Sequence, residues 1–243
     1  MNLFYCPDIS ATHTLPESES SHCCRVMRMR KGDIIYVMDG KGSRYECRIT
    51  DANPRATEFE VVNIETPSRE RDFTITLALS PTKNIDRTEW AIEKAVEMGV
   101  DTIIPLKCAH AERKEVKHER LQKVIVSAAK QSLEYQMPDL WEMTDFNKFI
   151  ESCKSADQKY IAYCSDEFKK ELLAQQIEPH KNIIILIGPE GDFSKEEVEK
   201  AVRAGFLPVS LGEKRLRTET ASVFSIAAIH AVNQRSERVQ LTP

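Results

Sequence analysis

Residues Ile183-Ile184-Ile185-Leu186-Ile187 form an unbroken apolar run that ends at Gly188-Pro189-Glu190-Gly191-Asp192-Phe193. Four of the five are β-branched, which favours a strand, and the lack of alternation calls for apolar cover on both faces. Such a strand belongs inside a parallel sheet. Gly188-Pro189 then forces a turn, Gly191 allows backbone angles closed to other residues, and Ser194 with Glu197 makes a capping box for a following helix. The turn falls at the carboxyl end of a central strand, where open α/β sheets hold ligands.

The sequence beyond residue 72 agrees with that sheet. Phe73, Ile75, Leu77 and Leu79 alternate as a strand. Asp86-Arg87-Thr88-Glu89 reads as a capping box for a helix that runs to Met98 and stops at Gly99. Strands are expected at 102–106, 160–163 and 208–211, and Leu121, Val124, Ile125, Ala128 and Ala129 mark one face of a helix beginning near His118. The earlier part differs. A helix over 17–29 ended by Lys31-Gly32-Asp33, a strand over 34–38, the hairpin signal Asp39-Gly40-Lys41-Gly42, the alternating Tyr45, Cys47 and Ile49, and a strand over 59–64 describe a small β-rich module. The polar stretch 66–72 separates the two, so the expected domains are 1–68 and 69–243.

A second glycine loop follows the strand at 208–211. It reads Leu211-Gly212-Glu213-Lys214-Arg215-Leu216-Arg217-Thr218-Glu219-Thr220-Ala221 and opens a helix rich in small residues (Ala221, Ser222, Ser225, Ala227, Ala228, Ala231). Small side chains let a helix pack closely against something large. Thr218 or Thr220 can cap this helix, and Glu219 suits the positive end of its dipole. Arg217 and Glu219 also stand beside a glycine loop at the end of a strand, a position where charges serve function more often than decoration.

Charge narrows the partners. The net charge of −4 is wrong for a protein that coats nucleic acid, but it hides two basic stretches. Residues 25–55 carry eight basic side chains against four acidic, and residues 107–130 carry seven against three. Arg25, Arg28, Arg30 and Lys31 in the first, with Arg113 and Lys114 in the second, are the candidates for a phosphate-backbone footprint. Seven irregularly spaced cysteines with no Cys-x-x-Cys pair predict reduced, mostly buried thiols and no metal site. Neither a signal peptide nor an apolar stretch long enough to cross a bilayer is evident, so a cytoplasmic protein with no membrane partner is expected.

The pair of loops resembles the cofactor-binding signature of the RsmE family, the 16S ribosomal RNA uridine-N3 methyltransferases of the SPOUT superfamily. Gly188-Pro189-Glu190-Gly191 followed by Leu211-Gly212-x-x-x-Leu216-Arg217-Thr218-Glu219-Thr220-Ala221 carries the likeness. It extends to Glu89-Trp90, Lys94-Ala95-x-Glu97-x-Gly99-Val100 and Pro105, to 128–131 with Pro138, and to His22, Arg28-Met29, Lys31-Gly32-Asp33, Asp39-Gly40 and Gly42, which are similar to the family's PUA-like domain. The chain departs from the family at Cys108-Ala109-His110 and at Gln131-Ser132-Leu133-Glu134, where arginines are often found.

The resemblance implies an α/β fold with a trefoil-knotted, mostly parallel C-terminal SPOUT domain and an N-terminal PUA-like β-barrel. It implies a homodimer acting on 16S rRNA or the small ribosomal subunit. By the same likeness, Ile187, Gly188, Pro189, Glu190, Gly191, Leu211, Gly212, Leu216, Arg217, Thr218, Thr220 and Ala221 hold S-adenosylmethionine. Arg217 is then the candidate for electrostatic stabilisation, and Glu219 or Glu190 for proton removal or for holding that arginine; the competing expectation is that both glutamates only cap loops or orient backbone. Two other functions fit the same residues: an RNA-binding assembly factor without turnover, and a methyltransferase with another RNA target.

Overall fold

A computed structural model describes residues 2–68, 71–153 and 156–240, the side chains of 235–240 excepted. Arg69 and Glu70 of the expected linker lie outside the described residues. The chain divides into two compact units, Met1–Arg69 with Val126–Met137, and Glu70–Ile125 with Pro138–Pro243.

The first unit contains β1 (Leu3–Tyr5), α1 (Glu17–Ser21), β2 (Ile34–Met38), β3 (Arg44–Asp51) and β4 (Glu58–Glu65). The sheet runs in that order, β1 parallel to β2 and the other pairs antiparallel. The segment after β1 forms an isolated antiparallel bridge from Thr14 to Glu58 of β4. Phe4, Ile9, Leu15, Ile35, Val37, Cys47 and Phe59 fill the interior. The expected helix over 17–29 is shorter and irregular: α1 passes into a π-helical turn at His22–Val26, and Arg28 takes a left-handed φ of 56° before Gly32. The fully buried Ser20 accounts for the start, because its hydroxyl donates to the Leu15 carbonyl and accepts from the Thr57 amide, both at 2.9 Å.

The second unit contains β5 (Ile75–Leu79), α2 (Ile85–Glu97), β6 (Thr102–Lys107), the first half of α3 (His118–Ser132), β7 (Asp139–Leu140), β8 (Thr144–Asp145), α4 (Phe146–Ser152), β9 (Gln158–Ala162), β10 (Glu171–Leu172), α5 (Leu173–Gln176), β11 (Ile183–Ile187), α6 (Lys195–Arg203), β12 (Leu207–Ser210) and α7 (Thr218–Gln240). Its sheet has the order β10-β12-β9-β11-β5-β6-β7, with β8 also on β6, and every pair is parallel. The apolar run at 183–187 is the central strand β11, with Ile185 opposite Leu77 on one side and Tyr160 on the other.

All five β11 side chains are buried, as a strand covered on both faces requires. Ile184 and Leu186 join Phe146, Phe149, Phe193, Val198 and Phe206 under α4 and α6. Alternation turns Ile183, Ile185 and Ile187 to the opposite face, where α7 packs on β5 and β11 and against α2. Ser222 and Ser225, fully buried on α7, return their hydroxyl protons to the carbonyls of Thr218 and Ala221, so the helix lies close without orphaned polar groups. The capping box at Ser194 and Glu197 is present. At α2 the cap is Asn84, whose side chain accepts from the Asp86 amide, rather than Asp86 itself; Thr88 instead takes a proton from the Thr82 amide.

The seven cysteines are unpaired, and burial pushes the thiols of Cys23 and Cys47 up to about 12. Among the described residues no helix is long and apolar enough to cross a membrane.

His230 on α7 packs against the Phe73 ring, with the Arg71–Asp101 ion pair beside it and no partner for Nε2 among the described residues. Burial, then the Arg71 charge, holds its pKa below the usual imidazole value, against the opposing pull of the Met98 backbone and Asp101. The fold therefore favours the neutral ring. That contribution is whole above about pH 6.5, and it is lost as pH falls through the lowered folded value. Thermal melts between about pH 7.5 and about pH 5 are expected to fall less steeply in His230→Gln than in the parent chain.

Candidate functional site

Ala162, Ile187 and Ser210 close the carboxyl ends of β9, β11 and β12, three neighbouring parallel strands. The loops that leave them enclose a cleft of about 1040 Å³. The wall after β11 is Gly188, Pro189, Glu190 and Asp192; the wall after β12 runs from Leu211 through Thr218 to Ala221; the third, after β9, includes Cys164, Asp166 and Lys170.

Each loop is held by hydrogen bonds to backbone. Ile187 gives its carbonyl to the Ser80 amide at 2.9 Å, and the Asp192 amide turns back to the Pro189 carbonyl at 3.0 Å. A Cβ on Gly188 would stand 3.1–3.2 Å from the buried Phe193 ring and amide, so a side chain here would have to push Phe193 aside by a few tenths of an ångström. Asp192, at a left-handed φ of 64°, accepts from the Cys164 amide at 2.9 Å and so joins the first loop to the third. Glu190 accepts from the Lys83 amide at 2.9 Å. Glu197 closes its own capping box and also accepts from the Ala109 amide at 2.8 Å. His110 reaches the carbonyls of Gly191 and Asp192, each 3.1 Å from Nδ1, which makes Nδ1 the protonated nitrogen.

The two glycine loops meet directly. Thr218, buried at the start of α7, donates its hydroxyl to the Gly188 carbonyl at 3.0 Å. The expected helix-capping threonine thus ties loop to loop. Gly212 sits at φ +125°, a conformation open to glycine, with clear space where a side chain would stand.

Of the expected cofactor residues, Ile187, Gly188, Pro189, Glu190, Leu211, Gly212, Leu216, Arg217, Thr218 and Ala221 line the cleft. Gly191 does not; it lies against His110, whose Cβ a side chain would meet at 3.2 Å. Thr220 lines an adjoining hollow together with Glu219. Arg217 is exposed and makes no ion pair among the described residues, whereas Glu219, largely buried, lies 3.8 Å from Arg87. The loop after β9 was missed because it carries no glycine motif. The signal for it was positional: a strand neighbouring β11 in a parallel sheet must deliver its end to the same edge.

Residues 69–230 match the RNA methyltransferase domain family, and residues 15–62 match the RNA methyltransferase PUA domain. A ribosomal RNA small subunit methyltransferase E from Synechocystis is 30% identical over 92% of this chain and 74% of its own length. The chain belongs to the ribosomal RNA small subunit methyltransferase E family. The Bacillus subtilis member is 26% identical over 90% of this chain and 89% of its own. Among solved structures, a probable rRNA-methyltransferase from Porphyromonas gingivalis superposes with a TM-score of 0.90 at 39% identity, covering 97% of this chain and all of the other. The Neisseria gonorrhoeae family member, bound to S-adenosyl methionine, gives 0.81 at 29% identity over 96% and 98%. The sheet and loops above are therefore the methyltransferase domain of the family, and the β-rich unit is its PUA-like domain.

In the PUA-like unit, Arg25, Arg28, Arg30 and Lys31 are all exposed on and after the π-helical turn. In the methyltransferase unit Lys114 is exposed, while Arg113 commits its guanidinium to the carbonyls of Thr82 and Lys83, at 3.0 and 2.6 Å.

The Thr218 hydroxyl sets the spacing of the loops. Thr218→Val leaves the Gly188 carbonyl without its donor and is expected to destabilise the chain by about 1–3 kcal/mol in denaturant titrations, with Thr218→Ser close to the parent.

Proposed function

We propose that this chain transfers a methyl group from S-adenosylmethionine to N3 of a uridine in 16S rRNA of the small ribosomal subunit. The observation that carries the proposal is the cleft at three parallel strand ends whose two glycine loops are joined by Thr218 and Gly188. Its volume lies at the upper end of the range for small-molecule sites. Its chemistry suits the ligand: backbone and small residues at Gly188, Gly212 and Ala221 admit a flat nucleoside, and Lys170 and Asp166, 3.1 Å apart, add a charged pair to the wall after β9. S-adenosylmethionine supplies an electrophilic methyl group on a sulfonium.

What remains for the protein is placement, since in-line displacement gains most from holding the nucleophile at contact distance. The loops fix the donor site. Uridine N3 bears a weakly acidic proton that must leave or be shared for nitrogen to attack. Arg217, exposed at the cleft and without an ion pair among the described residues, is available to the negative charge that develops on the base. Glu219 or Glu190 is the candidate acceptor: Glu190 lines the cleft and gives an oxygen to the Lys83 amide, and Glu219 lies 3.8 Å from Arg87 in the adjoining hollow. The departure at Cys108-Ala109-His110 does not disable the cleft, because His110 braces the first loop.

We assign Arg25, Arg28, Arg30, Lys31 and Lys114 to RNA phosphates, and Arg113 to holding the loop beneath them in sequence at 82–83 rather than to direct contact. A homodimeric, trefoil-knotted enzyme working in the cytoplasm completes the proposal, on the family likeness.

Calorimetry with S-adenosylhomocysteine is expected to give about one site per subunit, as one cleft per chain requires. Arg217→Ala should lower turnover on small subunits by about 100-fold while leaving that affinity unchanged; full activity in this variant removes the assigned role. Neutralising Arg25, Arg28 and Arg30 should reduce the salt dependence of RNA binding by a slope of about 3. An unchanged slope removes the PUA-like unit from the footprint.

A further inference from the structure

The loop between β9 and β10 carries no glycine, yet it supplies a wall of the cleft through Cys164, Ser165, Asp166 and Lys170. Side chains do much of the holding. The Phe168 ring meets the buried Tyr163 ring edge-on with centroids 5.9 Å apart, and Glu167 lies 3.3 Å from Lys195 of α6. The Glu167 amide donates to the Ser165 hydroxyl at 3.4 Å. At the centre stands the Lys170 ammonium, which donates to the carbonyls of Cys164 and Ser165, each at 2.7 Å, and to Asp166 Oδ1 at 3.1 Å.

Lys170 differs from a surface lysine in burial and in bonding. Its side chain is 12% exposed, against 91% for the neighbouring Lys169. An ammonium withdrawn from water needs other acceptors in place of it, and here three acceptors match its three protons. A direct bond to a ligand would therefore require Lys170 to release one of them. The Cys164 backbone is held from both sides, its amide by Asp192 of the first glycine loop and its carbonyl by Lys170. Lys170 is itself anchored in the chain by β10, where Glu171 pairs with Val209 of β12.

We propose that Lys170 is a positioning residue for the methyl donor, its ammonium fixing the carbonyls of Cys164 and Ser165 so that the loop after β9 closes the third side of the cleft. This rests on the donor-site reading of that cleft. Without the ammonium, two carbonyls lose their donor and turn toward water, and the wall they hold opens with them. The cost falls on holding the donor. The chemical step is untouched once the donor is bound, because Lys170 acts through the loop and not on the reacting atoms.

Lys170→Met keeps the aliphatic stem and removes the three donors. Calorimetry is expected to show S-adenosylhomocysteine bound about tenfold or more weakly than by the parent chain, with Lys170→Arg recovering most of the loss and Lys169→Met equal to the parent. In assays on small ribosomal subunits, KM for S-adenosylmethionine should rise in step while kcat stays within about twofold. Amide hydrogen exchange in the ligand-free Lys170→Met chain should be faster at 164–168 and unchanged in β5 and β6. Parent-like affinity in Lys170→Met overturns the proposal. So does weaker binding with unchanged exchange at 164–168, which would make Lys170 a direct ligand contact. Faster exchange throughout β5 and β6 also overturns it, by reducing the residue to a general support of the fold. Failure of the parent chain to bind S-adenosylhomocysteine is a separate result, which removes the donor site itself.

Discussion

The hydrogen bond from the Thr218 hydroxyl to the Gly188 carbonyl joins two loops thirty residues apart in sequence. Neither loop makes a site by itself. A strand-to-helix turn after β11 is an ordinary connection, and a glycine loop ahead of α7 is an ordinary helix start. Joined, they become two walls of one cleft, with the loop after β9 as the third. The parallel sheet makes the meeting possible, because β9, β11 and β12 are neighbours that all end at the same edge.

Polar side chains around the cleft act mainly on backbone. Asp192 holds the Cys164 amide, Glu190 the Lys83 amide, Glu197 the Ala109 amide, and His110 two carbonyls of the first loop. Loops carry more backbone polar groups than they can pair among themselves, and buried ones left unpaired are costly. The charged groups nearest the cleft are thus largely engaged in shaping it. On the second loop Glu213, Lys214, Arg215 and Arg217 line the cleft with no ion pair among the described residues, and Glu219 faces Arg87 across the adjoining hollow.

Much of this arrangement is legible in the sequence where physics is local. The apolar run of β11, the Ser194 capping box and the glycines of both loops each follow from a few consecutive residues. Legibility fails where a distant partner decides. Asn84 rather than Asp86 caps α2, and Asp86 and Glu89, which a local box would use, both pair with the distant Arg120. The helix beginning at Glu17 is anchored through the buried Ser20 to the distant Thr57, and it passes into a π-helical turn at His22. Only the fold brings His110 to Gly191, and the β9 loop has no motif to announce it. The family likeness, in turn, supplied what no local rule gives: a cofactor for the cleft.

Amide hydrogen exchange with and without S-adenosylhomocysteine tests most directly whether the two glycine loops form one donor site. Coordinate slowing at both 188–192 and 211–218, at a ligand concentration that saturates one cleft, is the expected result. Protection confined to one loop, or unchanged exchange in both, would contradict the account.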